Sequence, residues 1–317
     1  MRGQEGRPIP ILLDVDTGID DALALLYLLG EPRARLLGIT AMEGSVPLAQ
    51  VARNTLAILQ LCGREDIPVA LGAKKPLLGQ FSPSGKGAIH GENGLGDVSI
   101  PDPVRQPEPC RAVELMARLI EESTEKVTVV AVAAMTNLAT FLLCYPHLKG
   151  KIGQLVLMGG AAWCRGNFSP VAEANIGRDP EAAQIVFSAG IPIKLAGLDV
   201  TYKAYATAAE REAWRDCGTR AGRFAWEMFV HYASFYEGAP GCALHDPLAA
   251  AWALDEALVK SLPAHLEADL CGRSTRGATV VDAGGARTGC PCNALVGVEV
   301  DREAFAHRLL AALRRLP

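Results

Sequence analysis

Residues 11–22 read ILLDVDTGIDDA, an apolar run that ends in four aspartates, Asp14, Asp16, Asp20 and Asp21. Gly18 permits a sharp turn from strand to helix. Asp20 and Asp21 then fall in the first helical turn, where the helix dipole favours a carboxylate by at most about 1 kcal/mol. That effect accounts for the second pair but not for Asp14 and Asp16. Carboxylates crowded at the end of a buried strand repel one another, and burying uncompensated anions costs far more than a dipole returns. A divalent cation resolves the conflict. Oxygen-only donors suit Ca²⁺ or Mg²⁺, and Ca²⁺ takes about six to eight ligands in loose geometry, backbone carbonyls and water among them.

Such a site needs partners from elsewhere in the chain, so the surrounding elements decide whether it can form. PIPILLDV predicts a strand, DDALALLYLLG a helix closed by Gly30, and RLLGITAM a second strand. LAQVARNTLAILQLCG predicts a helix with Gly63 just past its end, and IPVALG a short third strand. Residues 72–109 are rich in Gly, Pro and Ser and predict a long loop. The rhythm resumes with helix RAVELMARLIEES, strand KVTVVAVAA, helix TNLATFLLCYP and strand QLVLMGG. A loop through VAEAN leads to helix DPEAAQIVFSAG, strand PIKLAGLDV, a helical region at 208–236, helix DPLAAAWALD and a closing helix DREAFAHRLLAALRRL. The pattern predicts one α/β domain over residues 1–317, a mainly parallel, Rossmann-like sheet flanked by helices. Ligands bind such sheets beyond the carboxyl ends of the strands. Asp14, Asp16, Met42, Thr136, Met158 and Asp199 fall at or just after predicted strand ends, so they can converge there.

Composition narrows the partner. The chain has 317 residues, half of them apolar, enough for a large core. A formal charge of −4 with scattered basic residues supplies no field for nucleic acid or an anionic membrane, so a small molecule is the expected partner. The opening MRGQEGRPIP lacks the apolar core of a signal peptide, and no run is long enough to span a bilayer, so a cytoplasmic protein is expected. Nine cysteines, with Cys290 and Cys292 in a C-P-C string, predict reduced thiols rather than a zinc site.

An aspartate pair in D-x-D after an apolar strand resembles the haloacid-dehalogenase-type phosphatases, in which Asp14 would be the nucleophile. That likeness stops beyond Thr17 and leaves Asp20 and Asp21 without a purpose. DVDTGIDDA resembles far better the N-terminal signature of the nucleoside hydrolases, the inosine-uridine-preferring N-ribohydrolases. The similarity continues in order through HGENGLG at 90–96, MTNLA at 135–139, VLMGG at 156–160, VAEAN at 171–175 with DPEAA at 179–183, and HDP at 245–247. Each string alone is weak, but six in the right order are specific.

The resemblance implies that Asp16, Asp21, the backbone carbonyl of Thr136 and Asp246 hold one Ca²⁺. It implies that Asp20 and Asn175 bind the ribose 2′- and 3′-hydroxyls, that Asn167 and Glu173 bind the 5′-hydroxyl, and that His90 and His245 lie near the base. It also implies a homodimer or homotetramer acting on purine or pyrimidine ribonucleosides. The chemistry agrees: cleaving an N-glycosidic bond passes through an oxocarbenium-like state. It therefore needs an activated water, which Asp16 would deprotonate, negative surroundings for the sugar, and help for the departing base, which His245 would give.

Individual residues also have plainer explanations. Asp246 is placed to cap a helix opening at Pro247, and Asp179 to cap PEAAQIVF. Asp14 supports the ligands rather than joining them. Trp226, Phe229, Tyr232, Phe235 and Tyr236 follow helical spacing, which predicts a core or interface stripe, with closure of some of them over the base as the alternative. Two departures from the family pattern stand out. Ser45 occupies the position of a family asparagine beside the ribose, and its hydroxyl is shorter than an amide and lacks the paired NH₂ donor. One extra residue precedes Asn167. Neither touches the expected metal ligands, so activity should survive while specificity shifts; a homologue that binds Ca²⁺ and a ribosyl ligand without turnover is the alternative.

Overall fold

A computed structural model describes residues 7–80 and 87–317 of the protein. The chain opens with β1 (Ile9–Val15), α1 (Ile19–Gly30), β2 (Ala34–Ala41), α2 (Leu48–Leu61) and β3 (Val69–Leu71), the βαβαβ start that the sequence predicts. The 72–109 stretch contains the one-turn α3 (Gly87–His90). After it come α4 (Ala112–Glu122), β4 (Val127–Ala131), α5 (Thr136–Cys144), β5 (Ile152–Met158), α6 (Ala174–Arg178), α7 (Pro180–Phe187) and β6 (Ile193–Ala196). The last third holds α8 (Leu198–Thr201), β7 (Tyr205–Ala206), α9 (Ala208–Arg215), α10 (Arg220–Ala233), β8 (Cys242–Ala243) and α11 (His245–Leu254). It closes with β9 (Val259–Ala268), β10 (Thr279–Ala283), β11 (Ala294–Val300) and α12 (Arg302–Leu313).

Among the described residues nine strands form one sheet in the order β10-β9-β11-β6-β5-β4-β1-β2-β3, with β7 and β8 pairing separately. From β3 across to β11 every neighbouring pair is parallel, while β9 is antiparallel to both β11 and β10. The chain order reverses between β1 and β4, which creates a crevice at their carboxyl ends. Alternate residues of β1 serve opposite faces: Ile11, Leu13 and Val15 pack with α1, α10, α11 and α12, whereas Leu12 packs with α4, α5 and α7. Asp14 shares the Leu12 face and is fully buried. Among the described residues no helix is long and apolar enough to cross a membrane.

Four sequence expectations need correction. No strand was expected between residues 256 and 300, yet β9, β10 and β11 lie there. Their half-exposed pattern, with Pro263 inside β9, belongs to an antiparallel edge that faces solvent on one side and lacks the apolar run of a central strand. The strand expected over PIKLAGLDV ends at Ala196, and Gly197 caps α8, which carries Asp199. The helical region at 208–236 is α9, α10 and a 3-10 turn at Ser234–Tyr236, broken where Gly218 takes φ +89° and Thr219 accepts from the amide of Gly222 to start α10. The VAEAN segment is not all loop: Glu173 caps the short α6, on which Asn175 sits.

Candidate active site

The first residue past β1 is Asp16, and the turn that follows is organised by Asp21. Its two carboxylate oxygens accept from the amides of Asp16 and Gly18, both at 3.0 Å, satisfying donors at the start of α1. Gly18 itself has φ −92°, open to any residue. Glycine is required because a Cβ there would lie 2.7 Å from Nδ1 of His90. The His90 ring thus seats against the turn, with Nδ1 accepting the amide hydrogen of Ile19 at 3.1 Å. An Nδ1 that accepts carries no proton, so neutral His90 presents its N–H at Nε2.

Helix α11 brings the fourth carboxylate. It begins at His245 with Leu244 as its cap, so Asp246 lies inside the first turn rather than capping it. Carboxylate oxygens of Asp20, Asp21 and Asp246 lie within 4.8 Å of one another, and all three side chains are buried. Burial raises each pKa and mutual repulsion adds to it: Asp20 is pushed up to about 7 by desolvation and then by Asp16, and Asp21 and Asp246 rise well above the usual range. Carboxylates this close cannot all carry their charge without a counter-ion or a proton between them. Three buried, mutually destabilised carboxylates are a donor set that a divalent cation fits.

Asp14 stands apart. It is fully buried, Oδ1 accepting from Thr40 at 2.5 Å and from the Asn137 amide at 2.8 Å, while Oδ2 has no partner among the described residues. Burial pushes its pKa up to about 7. It does not line the cavity described next, so a phosphoryl group could not reach it as the phosphatase comparison requires.

A cavity of about 260 Å³ opens over these carboxylates. Asp16, Asp20, Asp21 and Asp246 form its acidic part, with Ser45, Asn167, Glu173 and Asn175 beside them. The Asn175 amide donates to the backbone carbonyls of Val132 at 2.9 Å and Met158 at 3.1 Å, tying α6 to the ends of β4 and β5 and leaving Oδ1 to accept. Glu173 is held by the amides of Gly160, Asn175 and Ile176, and Asn167 Oδ1 accepts from the amide of Ala174. Ser45 points at a carboxylate: its amide and hydroxyl both donate to Asp16 Oδ2, at 2.6 and 3.0 Å, and Arg178 Nη1 reaches the same oxygen at 2.9 Å.

The opposite wall is aromatic. His90 stacks on Tyr232 with ring centroids 6.1 Å apart, and Tyr202 meets His245 edge-on at 5.3 Å. Tyr232, Tyr236 and His245 form a chain: hydroxyl to hydroxyl at 3.1 Å, Tyr236 hydroxyl to His245 Nε2 at 3.3 Å, and His245 Nδ1 to the Thr201 hydroxyl at 2.7 Å. The helical stripe that predicted a core or interface therefore splits. Phe229 is buried in the core and Trp226 packs under Arg215, whereas Tyr232, Phe235 and Tyr236 line the cavity.

The profile of the inosine-uridine preferring nucleoside hydrolases matches residues 11–307. The chain belongs to that family. This nucleoside hydrolase is 41% identical over 310 residues to the pyrimidine-specific ribonucleoside hydrolase RihA of Escherichia coli K12, covering 96% of this chain and 98% of the relative. The purine-preferring ribonucleoside hydrolase from Gardnerella vaginalis superposes with a TM-score of 0.90 at 38% identity, covering 96% of this chain and 98% of that one. The plant nucleoside hydrolase PpNRh1 gives a TM-score of 0.89 at 31% identity, covering 96% and 99%.

The cavity of this hydrolase gathers ten of the eleven residues singled out from sequence. Thr136 is the exception and does not line it. Its hydroxyl donates to Asp179 at 2.6 Å, and its carbonyl accepts from the Thr140 hydroxyl inside α5. The chain end of β4 that does line the cavity is Val132. Sequence offered no signal for it, because a backbone carbonyl places no demand on residue type. Asp179 caps α7 as expected, and Asp199 holds the loop beside the cavity through the amides of Ala162 and Trp163. Arg178 was not foreseen either, since a lone arginine in a loop-like segment carries no pattern.

Proposed function

We propose that the enzyme is a Ca²⁺-dependent ribohydrolase that splits pyrimidine ribonucleosides, and purine ones less readily, into ribose and free base. The observation that carries this reading is the meeting of the buried Asp20, Asp21 and Asp246 cluster with a tyrosine–histidine chain across one cavity. The relatives divide over the base: RihA of Escherichia coli is named pyrimidine-specific, the Gardnerella enzyme purine-preferring. The higher identity and His245 favour pyrimidines.

Asp21 and Asp246 would hold the ion together with Asp16, and Asp20, whose carboxylate lies within 4.8 Å of those of Asp21 and Asp246, stands against the same position. The carbonyl of Val132 replaces that of Thr136 as the backbone ligand, because Val132 lines the cavity and Thr136 does not. A bound Ca²⁺ would acidify a water and neutralise the carboxylates that burial otherwise forces to keep protons. Asp16 takes the proton of the attacking water. Asp20 and Asn175 grip the 2′- and 3′-hydroxyls, Asn167 and Glu173 the 5′-hydroxyl, and Ser45 acts on the ribose end through Asp16. Carboxylates around the ring stabilise the developing positive charge. Across the cavity His245, bonded to Tyr236, delivers a proton toward the departing base, and His90 Nε2–H donates to it. Five carboxylates against one arginine keep the cavity acidic even with a divalent ion, so an uncharged nucleoside fits and a nucleotide does not.

We place the enzyme in the cytoplasm as a homodimer or homotetramer. Exposed Leu262, Val280 and Leu295 on the three outer strands support subunit contact, and sedimentation equilibrium tests it. The deciding assay is ribose release from a panel of pyrimidine and purine ribonucleosides, with and without chelator. Release that is indifferent to exhaustive chelation overturns the metal reading; no release from any nucleoside overturns the hydrolytic one.

A further inference from the structure

Asp16 is gripped more tightly than a general base needs to be. Gly44 allows the loop after β2 to close on it, since a Cβ at that position would lie 2.1 Å from Oδ2. The Ser45 amide, the Ser45 hydroxyl and Arg178 Nη1 then all donate to that one oxygen. The hydrogen bonds that the Asp16 carboxylate accepts from the described residues all fall on Oδ2. The pair is deeply placed, with the Arg178 side chain 10% exposed and that of Asp16 5%. Arg178 is also the only arginine or lysine that lines the cavity among the described residues.

The sign of this charge is the puzzle. A cavity that must favour a developing carbocation gains nothing electrostatically from a guanidinium, which opposes the charge on the sugar. Its benefit must be geometric. A carboxylate turns freely about its last torsion, a broad two-fold rotor, and three donors on one oxygen stop that rotation. The short side chain of Ser45 leaves room for the guanidinium to share Oδ2.

We infer that Arg178 is a positioning residue for hydrolysis: with Ser45 it pins Asp16 by Oδ2 and so fixes Oδ1 as the oxygen that meets water and cation. This rests on the hydrolytic role proposed above for Asp16. The two residues form one device, so a longer side-chain amide at position 45 should supply the donor that is lost when Arg178 is removed.

The test uses the full-length enzyme in four forms: wild type, Arg178→Val, Arg178→Lys, and the double variant Ser45→Asn with Arg178→Val. Misdirecting the base by an ångström costs about 10²-fold, so Arg178→Val should lose about that factor in kcat while KM moves by less than about threefold. Ca²⁺ binding to the stripped protein, read by calorimetry, should stay within about fivefold of wild type, because Oδ1 and the other carboxylates remain. Added guanidinium ion should restore roughly tenfold of the lost rate, and Arg178→Lys, a point charge without the planar fork, should fall between. The double variant should outperform Arg178→Val alone. Arg178→Val with wild-type kcat overturns the inference, as does a loss of kcat that follows lost Ca²⁺ or that neither guanidinium nor Ser45→Asn relieves. A variant that melts early is judged by Arg178→Lys and by rescue at a temperature where it is folded. Wild-type enzyme that releases no ribose overturns the role of Asp16 and this inference with it, whereas active wild type beside equally active Arg178→Val overturns this inference alone.

Discussion

Tyr236 and His245 meet through one hydrogen bond, hydroxyl to Nε2 at 3.3 Å, while the far nitrogen of the same imidazole is fixed by the Thr201 hydroxyl at 2.7 Å. A histidine held at both nitrogens is oriented toward the cavity and joined to a second hydroxyl at Tyr232. The arrangement suits proton delivery to a poor leaving group, an unprotonated nucleobase. His245→Ala should therefore slow uridine or inosine by about 10²-fold or more, and p-nitrophenyl riboside, whose phenolate leaves unaided, by less than about tenfold. Steady-state rates on the two substrates decide it. Equal slowing of both, with metal content unchanged, assigns His245 to positioning instead.

Tyr236→Phe removes the middle of that chain without changing its bulk. Natural nucleosides should slow by about tenfold, again with the nitrophenyl substrate spared, because the burial-raised pKa of Tyr236 keeps it a neutral donor at working pH. Comparing Tyr236→Phe, His245→Ala and the double variant tests whether they act as one unit: the double should be no slower than His245→Ala alone.

Asp16→Asn keeps an oxygen that can meet a cation and loses the base. Turnover should fall by about 10³-fold while ribose binding, measured by calorimetry, persists. Asp246→Ala should instead slow both nucleoside and nitrophenyl substrates and lower the metal content. Wild-type turnover by Asp16→Asn would sink the assignment of the base.

Stability of the metal-free enzyme should depend on pH in a definite direction. Burial raises Asp14 and Asp20 from an ordinary 3.8 to about 7, so the folded protein keeps protons that the unfolded chain has released. Stability from these groups is whole below about pH 4 and is lost as pH rises through about 7. Chelated protein should melt earlier at pH 8 than at pH 5, and Ca²⁺ should raise the melting temperature more at pH 8. A melting temperature that rises with pH in the chelated protein contradicts the crowded-carboxylate account.

Thr136→Val tests the structural role of the threonine hydroxyl. Losing the 2.6 Å bond to buried Asp179 should cost about 1–2 kcal/mol in a denaturant titration, with metal content and KM unchanged.

The sequence by itself determined the parallel sheet, because the central strands are apolar on both faces and the helices between them carry 3.6-residue periodicity. It also pointed to the acidic site at the end of β1, where Asp16, Asp20 and Asp21 line the cavity while Asp14 is buried apart beside Thr40 and Asn137. Ordered motifs then placed His245, Asp246, Glu173 and Asn175 at the same cavity, where the structure gathers them. What lay beyond it were facts that exist only across the fold. The edge strands β9 to β11 alternate weakly because solvent, not a second layer of protein, covers part of them. Val132 lines the site where Thr136 was expected, because the sequence does not say which residue of the bend after β4 will face the crevice. Tyr232 and Tyr236 share the spacing of Phe229, and only the packing of α10 against α1 and α3, with the turn that follows it, decides which of them face the cavity and which the core. Arg178 meets Asp16 from 162 positions away, a contact that neither residue's neighbours in the chain encode, because it depends on where α6 comes to rest against the loop that carries Ser45.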